Sequence, residues 1–262
     1  MIERNLDIQI FRGLAIAAVV FNHSCSNNAI FCHYIQAFVN FAVPLFIFLS
    51  GYLTRLHYEN YYELIRRRVV RVLIPYIIWS LVYCVFLCEN LSITRVLFYL
   101  LTGRACFPFY YIIVYIQFVL LAKWISTLAE SRFSIIGYFL TPLYIILVRY
   151  FTLFEGISVP PLVSEILGIS IVPWFSFFFI GLVLGNNHKW NGSNATIFLL
   201  ALSILIQLFE SQLLINLGYS EMAGSGNNIS SFLTSLCMCL FCATFIKKEY
   251  VKKTDLPVCV KL

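Results

Sequence analysis

Long apolar runs follow one another along this 262-residue chain, each bounded by polar or basic residues. A run must supply about 20 residues to cross the hydrocarbon core of a bilayer as a helix, and this chain does so repeatedly. Eight spans are expected, over residues 8–24, 34–53, 70–87, 107–124, 133–152, 171–185, 196–217 and 230–246. The sixth is short, and residues 168–171 extend it. Composition agrees, because 61% of the residues are hydrophobic and 11% charged, whereas about a quarter of a soluble domain is charged. A water-soluble core is excluded. Arg12 falls inside the first apolar stretch and no small-residue cleavage site clearly follows it, so that stretch reads as a retained helix. The expected fold class is all-α, a polytopic transmembrane helix bundle.

Lysine and arginine enrich cytoplasmic flanks, so their distribution over alternate loops gives an orientation. Of the 18 such residues, fourteen fall on the side of the N-terminus: Arg4, Arg55, Arg66, Arg67, Arg68, Arg71, Lys123, Arg132, Lys189 and the five lysines from Lys247 to Lys261. Arg95 and Arg104 fall on the other side, and Arg12 and Arg149 lie within spans. Both termini are therefore expected in the cytoplasm. The net charge of +6 comes from these helix-end residues and not from a basic domain, so no nucleic-acid partner is expected.

Most of the nine cysteines lie in apolar runs, and Cys237, Cys239 and Cys242 share one expected helix without partner histidines. They read as small packing residues, and no metal site is expected. Cys25 and Cys32 share an expected outer loop, where a disulfide stays open. No internal repeat or appended soluble domain is apparent, and the longest outer segment, 153–170, is too short to fold alone. Residues 1–262 read as a single membrane-embedded domain, and its chemistry must belong to the bundle. Residues 91–100 have the pattern of an interfacial amphipathic helix.

Arg12 and His23 are eleven residues apart in the first span, about three turns plus 20° and roughly 16 Å of rise, so they share one face. Ionisable groups in a spanning helix generally face a bundle interior or an aqueous cavity, which makes the pair a candidate site. A plainer reading stands beside it: Arg12 snorkels to the inner boundary and His23 is wet at the outer one. Spacing alone does not separate the two.

The residues 10–24, with Arg12 and His23 separated by ten positions, resemble the opening signature of the acyltransferase 3 family. Residues 43–53 resemble that family's second helix, an aromatic-rich stretch ending in Ser50-Gly51-Tyr52, and residues 67–76 its basic entry to the third, closed by Pro75-Tyr76. Phe109-Tyr110-Tyr111 with Gln117 is similar to the aromatic fourth helix, and Trp174-Phe175 with Phe179, Gly181 and Gly185 to a later aromatic-glycine helix. Two departures stand out. Cys106, Phe107 and Pro108 occupy positions where the family often has a His and a Trp or Leu, and a further spanning segment usual in the family is expected to be missing after Leu262.

The resemblance implies an integral membrane enzyme, expected in a bacterial inner membrane, that moves an acyl group, commonly acetyl, from acyl-CoA to a hydroxyl on a glycan or lipid-linked sugar. No tightly bound cofactor is implied. A hydroxyl is a poor nucleophile until a base takes its proton, and histidine titrates in the right range, so His23 is the candidate general base. A covalent acyl-histidine relay is the less economical alternative. The donor is anionic and cytoplasmic, and Arg67, Arg68 and Arg71 form a cluster suited to phosphate, although basic residues at such helix ends also arise from topology alone. Arg12 is a donor-side binder or a structural counter-charge.

Among further candidates for substrate contact, Ser50 lacks the preceding glycine of a nucleophile elbow, and close helix packing at Ser50-Gly51 is expected instead. Tyr110 belongs to the aromatic fourth-helix stretch, Trp174 has the alternative of an interfacial anchor, and Arg149 binds sugar or snorkels. Pro44 and Pro75 mark breaks lining a cavity or tolerated kinks. Glu155, Glu165, Glu210 and Glu221 have no partner fixed by the sequence, so a carboxylate helper stays unassigned. The competing functions are a multi-span transporter or flippase, which inverted repeats would favour, and an inactive, truncated acyltransferase.

Overall fold

The computed structural model describes residues 6–24, 30–54, 61–87, 92–150, 160–186 and 194–246, and no strand occurs among them. In chain order the helices are α1 (Leu6–Ser24), α2 (Ile30–Val39), α3 (Ala42–Tyr52), α4 (Tyr61–Leu87), α5 (Ile93–Thr102) and α6 (Tyr110–Glu130). There follow α7 (Ser134–Tyr144), which runs on as a π-helix over Ile145–Tyr150, α8 (Pro161–Gly168), α9 (Phe175–Asn186), α10 (Asn194–Asn216) and α11 (Ile229–Phe245). A short helix, Ser220–Ala223, joins the last two. Six stretches are long and apolar enough to cross a membrane: Leu6–Ser24, Tyr34–Tyr52, Tyr61–Phe86, Tyr110–Glu130, Ile166–Asn186 and Asn194–Asn216. Ser134–Tyr150 and Ile229–Phe245 are shorter apolar helices of 17 residues, at the low end of the roughly 17–25 that suffice. Every expected span is thus helical over most of its described residues.

Three boundaries differ from expectation. The span expected at 34–53 is broken at Asn40 and Phe41 into α2 and α3. Pro44 supplies the reason, since it has no N–H for the carbonyl four residues back and its ring crowds that turn. The helix expected at 70–87 begins at Tyr61, so Arg66, Arg67 and Arg68 lie in its early turns and not in a flanking loop, and Arg71 follows them on the same helix. Pro75 sits inside this continuous helix. The helix expected to end at Trp124 continues to Glu130. Hydropathy reports where a helix is apolar, not where it stops.

Helices α3 and α9 form the centre. Neither has a charged residue or a polar face, and a helix apolar all round belongs inside. They run parallel with their backbones in contact. A side-chain carbon at Gly181 would overlap the Phe48 carbonyl, one at Gly185 the Tyr52 carbonyl, and one at Gly51 the Phe178 carbonyl. Small residues four apart permit this approach, and with no hydrophobic drive between helices in lipid, such close packing is a main source of association. Around this pair, Phe118 of α6 stacks on Phe178 with ring centroids 4.6 Å apart, and Phe232 of α11 meets Phe177 at 5.1 Å. Tyr138 of α7 meets Phe179 edge-on at 5.0 Å, beside Gly137, where any side chain would strike the Phe179 ring.

Two hydroxyls stitch α7 to α9. Pro142 cannot donate to the Tyr138 carbonyl, and Ser176 Oγ donates to it instead at 3.0 Å while accepting from the Thr141 amide at 3.2 Å. In return, Thr141 Oγ1 donates to the Val172 carbonyl at 3.0 Å and accepts from the Ser176 amide at 3.0 Å. Each side chain thus fills a gap in the other helix, as backbone groups inside a bilayer require.

The aromatic contact of Phe11 with Phe245 puts the start of α1 beside the end of α11, so those helices are antiparallel. Phe177 and Phe232 place the starts of α9 and α11 together. The bundle therefore has one end holding Leu6, Thr54 and Asn186 and an opposite end holding Ser24, Tyr150 and Ile229. Helix α5 buries none of its residues, exposing Ile93, Leu97 and Leu101, and is capped by Ser92, whose side chain accepts from the Arg95 amide, and by Gly103 at φ 72°. It is the surface amphipathic helix the pattern predicts, pinned to α4 by Tyr76, whose hydroxyl donates to the Leu100 carbonyl at 2.7 Å. Of the cysteines, Cys239 and Cys242 are buried in the core. Cys32 falls in α2 and not in a loop, while Cys25, Glu155 and the lysines beyond Ile246 lie outside the described residues.

Candidate active site

Helix α1 turns Ile8, Ala15 and Ala18 inward, with Phe11 and Val19 packed against the core. Arg12 lies on the edge of that face, half-buried, and interacts electrostatically with the Tyr111 hydroxyl of α6. Tyr111 in turn packs on Phe46 of α3 at 6.0 Å and Tyr115 at 6.3 Å. His23 lies on the same edge in the last turn of α1, exposed, at the end of the bundle opposite Leu6. Its neighbour Asn22 carries a buried Oδ1 with no hydrogen-bond partner.

The basic cluster lies toward the other end, and its members differ. Arg67 pairs with Glu63 one turn earlier in α4, on the exposed surface. Arg68 points inward, donating to Thr54 Oγ1 at 3.0 Å and to the Leu53 carbonyl at 3.4 Å. Asn186 donates to the Thr54 carbonyl at 3.0 Å, so Arg68 and Asn186 together close the C-terminal end of α3. Arg71 is exposed and makes no hydrogen bond or ion pair among the described residues. Sequence reasoning treated the three as one cluster, whereas only Arg71 has a guanidinium uncommitted to protein.

Tyr110 and Trp174, far apart in sequence, come together with ring centroids 6.5 Å apart. Trp174 is only 8% exposed, which makes it a packing residue rather than an interfacial anchor. Gln117 reaches across to the Ile169 carbonyl at 2.7 Å, fixing α6 to the entry of α9. Ser50 is half-buried, and its carbonyl accepts from Thr54 Oγ1 at 2.8 Å, while the adjacent Gly51 makes the close packing expected there. Arg149 sits in the π-helix, half-buried, in electrostatic contact with Tyr144. No group of three or more His, Cys, Asp or Glu side chains able to hold a metal occurs among the described residues.

One cluster was not anticipated. Glu210 of α10 accepts hydrogen bonds from the Tyr150 hydroxyl and from the Ser230 amide, the latter at 3.0 Å, and Tyr150 accepts from the Ile229 amide at 3.2 Å. The carboxylate thus sits on the positive N-terminal end of α11, a favourable place for negative charge. Nearby, Gln207 donates to the Ala37 carbonyl and to Ser231 Oγ at 2.7 and 2.8 Å, and Asn40 to the Gly224 carbonyl at 3.0 Å. The signal available was a glutamate inside a spanning helix.

No curated protein and no solved structure matches the chain. The sequence does match a family model, described as an acyltransferase domain, over residues 5–261. With a helical bundle of spanning length and a match over nearly its whole length, the chain belongs to the acyltransferase 3 family of integral membrane acyltransferases.

Proposed function

We propose that the protein transfers an acyl group, acetyl in the simplest case, from acyl-CoA to a hydroxyl of a glycan or lipid-linked sugar at a bacterial inner membrane. The observation that carries this reading is the edge of α1 shared by Arg12 and His23, with Arg12 half-buried and within electrostatic reach of Tyr111. His23 is the general base: its imidazole takes the acceptor's proton as the oxygen attacks the thioester carbonyl, and returns it to the thiolate that leaves. A new ester C–O bond forms and the C–S bond breaks. Arg12, the nearest cation on that edge, offsets negative charge developing on the donor side.

The uncommitted guanidinium of Arg71 is the best placed of the basic cluster for the CoA phosphates, with Arg67 and Arg68 supporting it from the same turns. This puts the anionic head of the donor and the base at opposite ends of the bundle. The long arm of CoA suits such a separation. Tyr110, Trp174, Ser50 and Arg149 are assigned to the walls of the substrate path.

The test is transfer of radiolabel from acetyl-CoA into membranes containing the wild-type chain, beside His23→Ala at equal expression and insertion. Label incorporated by wild type and lost in the variant supports the reading. No incorporation by wild type into host membranes removes it.

A further inference from the structure

We propose that the outward stripe of α4 headed by Arg71 binds an anionic phospholipid, taken from the leaflet at the Thr54 end of the bundle. Successive residues of an α-helix turn by about 100°, so Arg67, Arg71, Ile74, Ile78, Leu81 and Val85 fall within a sector of about 80°. The four apolar members are between 43% and 62% exposed. Both arginines are exposed as well. Tyr76 and Ser80, which are buried, lie on the far side of the helix, where Tyr76 holds α5. The stripe therefore looks out of the bundle, and no cavity is needed to reach it.

Its dimensions are those of one lipid. With a rise of 1.5 Å per residue, Ile74, Ile78 and Leu81 lie about 5, 10 and 15 Å beyond Arg71, and 15 Å is half of a hydrocarbon core of about 30 Å. An acyl chain whose phosphate meets Arg71 thus runs over those three side chains and ends near the midplane. Arg71 stands ten residues inside α4, so its stem lies along apolar surface while the guanidinium reaches back to the headgroups.

Charge decides which lipid fits. Arg67 is shared with Glu63, whereas Arg71 makes no hydrogen bond or ion pair among the described residues. Its planar donors match a phosphate. In phosphatidylglycerol the phosphate charge is uncompensated, while choline and ethanolamine headgroups carry their own cation, so the anionic lipid gains more at Arg71. Arg66 is also exposed, but it lies about 140° around the helix from Arg71, off the stripe. A guanidinium held by a lipid phosphate is closed to CoA, so anionic lipid competes with the donor at Arg71. That competition, unlike the lipid site itself, rests on the acyltransfer reading above.

The test titrates the full chain in detergent with phosphatidylglycerol or phosphatidylcholine and reads the Kd of the first bound lipid by native mass spectrometry. Wild type is expected to bind phosphatidylglycerol more tightly than phosphatidylcholine. Arg71→Ala should weaken phosphatidylglycerol about fivefold, the effect of one basic residue near a lipid phosphate. Arg66→Ala removes the same charge and should leave the Kd unchanged, and equal melting temperatures show that both variants fold. No preference for phosphatidylglycerol, an unchanged Kd in Arg71→Ala, or equal losses in the two variants, as basic residues placed by topology alone would give, would each overturn the proposal. In phosphatidylcholine vesicles, added phosphatidylglycerol is expected to raise the KM for acetyl-CoA in wild type and to raise it less in Arg71→Ala. A rise of equal size in both is general repulsion of CoA by the surface and removes the competition. Selective lipid binding without acetyl transfer would uphold the site and remove the acyltransfer reading, whereas acetyl transfer without selective lipid binding would do the reverse.

Discussion

Two side chains eleven residues apart define the chemistry expected of this protein, and the turn of a helix is enough to bring them onto one edge of α1. Removing the imidazole of His23 is expected to lower acetyl transfer by roughly 10²–10⁴-fold with insertion unchanged, the range typical of a lost general base. The arginines separate by a different pair of measurements. Arg71→Ala should raise the KM for acetyl-CoA with the melting temperature unchanged, since Arg71 bonds nothing among the described residues. Arg68→Ala should instead lower the melting temperature, because the Leu53 carbonyl and Thr54 lose their partner. The edge shared by Arg12 and His23 was legible because helical periodicity is local. The division of labour among Arg67, Arg68 and Arg71 was not, because it depends on Thr54, which lies beyond residues whose path the sequence does not fix.

At the scale of elements, apolar runs located every spanning helix, and the misjudged points share a cause. The break at Asn40 and Phe41 lies between two apolar stretches, so hydropathy passes over it, and only Pro44 hinted at it. The early start of α4 was hidden because the turns that carry Glu63, Arg66, Arg67 and Arg68 are too polar to register as an apolar run. The Glu210 cluster was hidden for a different reason: its partners, Tyr150 and Ser230, are 60 and 20 residues away in the chain. The hydroxyl exchange between α7 and α9 makes a quantitative prediction. Ser176→Ala strands the Tyr138 carbonyl and the Thr141 amide and should cost about 1–3 kcal/mol, measured as reduced thermal stability in detergent. In a Pro142→Ala background, which restores an amide at position 142, the same substitution should cost less.

For the molecule as a whole, the loop charges lead us to expect both termini in the cytoplasm, and reporters fused at either end should both read as cytoplasmic. The match over residues 5–261 fixes the family, while the acceptor and the donor are chemical readings that transfer assays decide. Gly181→Ala is expected to destabilise the bundle more than Gly13→Ala, because a methyl at position 13 meets nothing within 4 Å, and detergent melting curves of the two compare them directly. The parallel contact of α3 and α9 reaches further than stability. Helices whose backbones touch at two levels one turn apart cannot slide past each other without lifting the carbonyls of Phe48 and Tyr52 over a glycine step. The pair therefore acts as a fixed post. A movement that separates α3 from α9 is closed to this protein, and any opening of the bundle must pass around this post, in the helices that surround it.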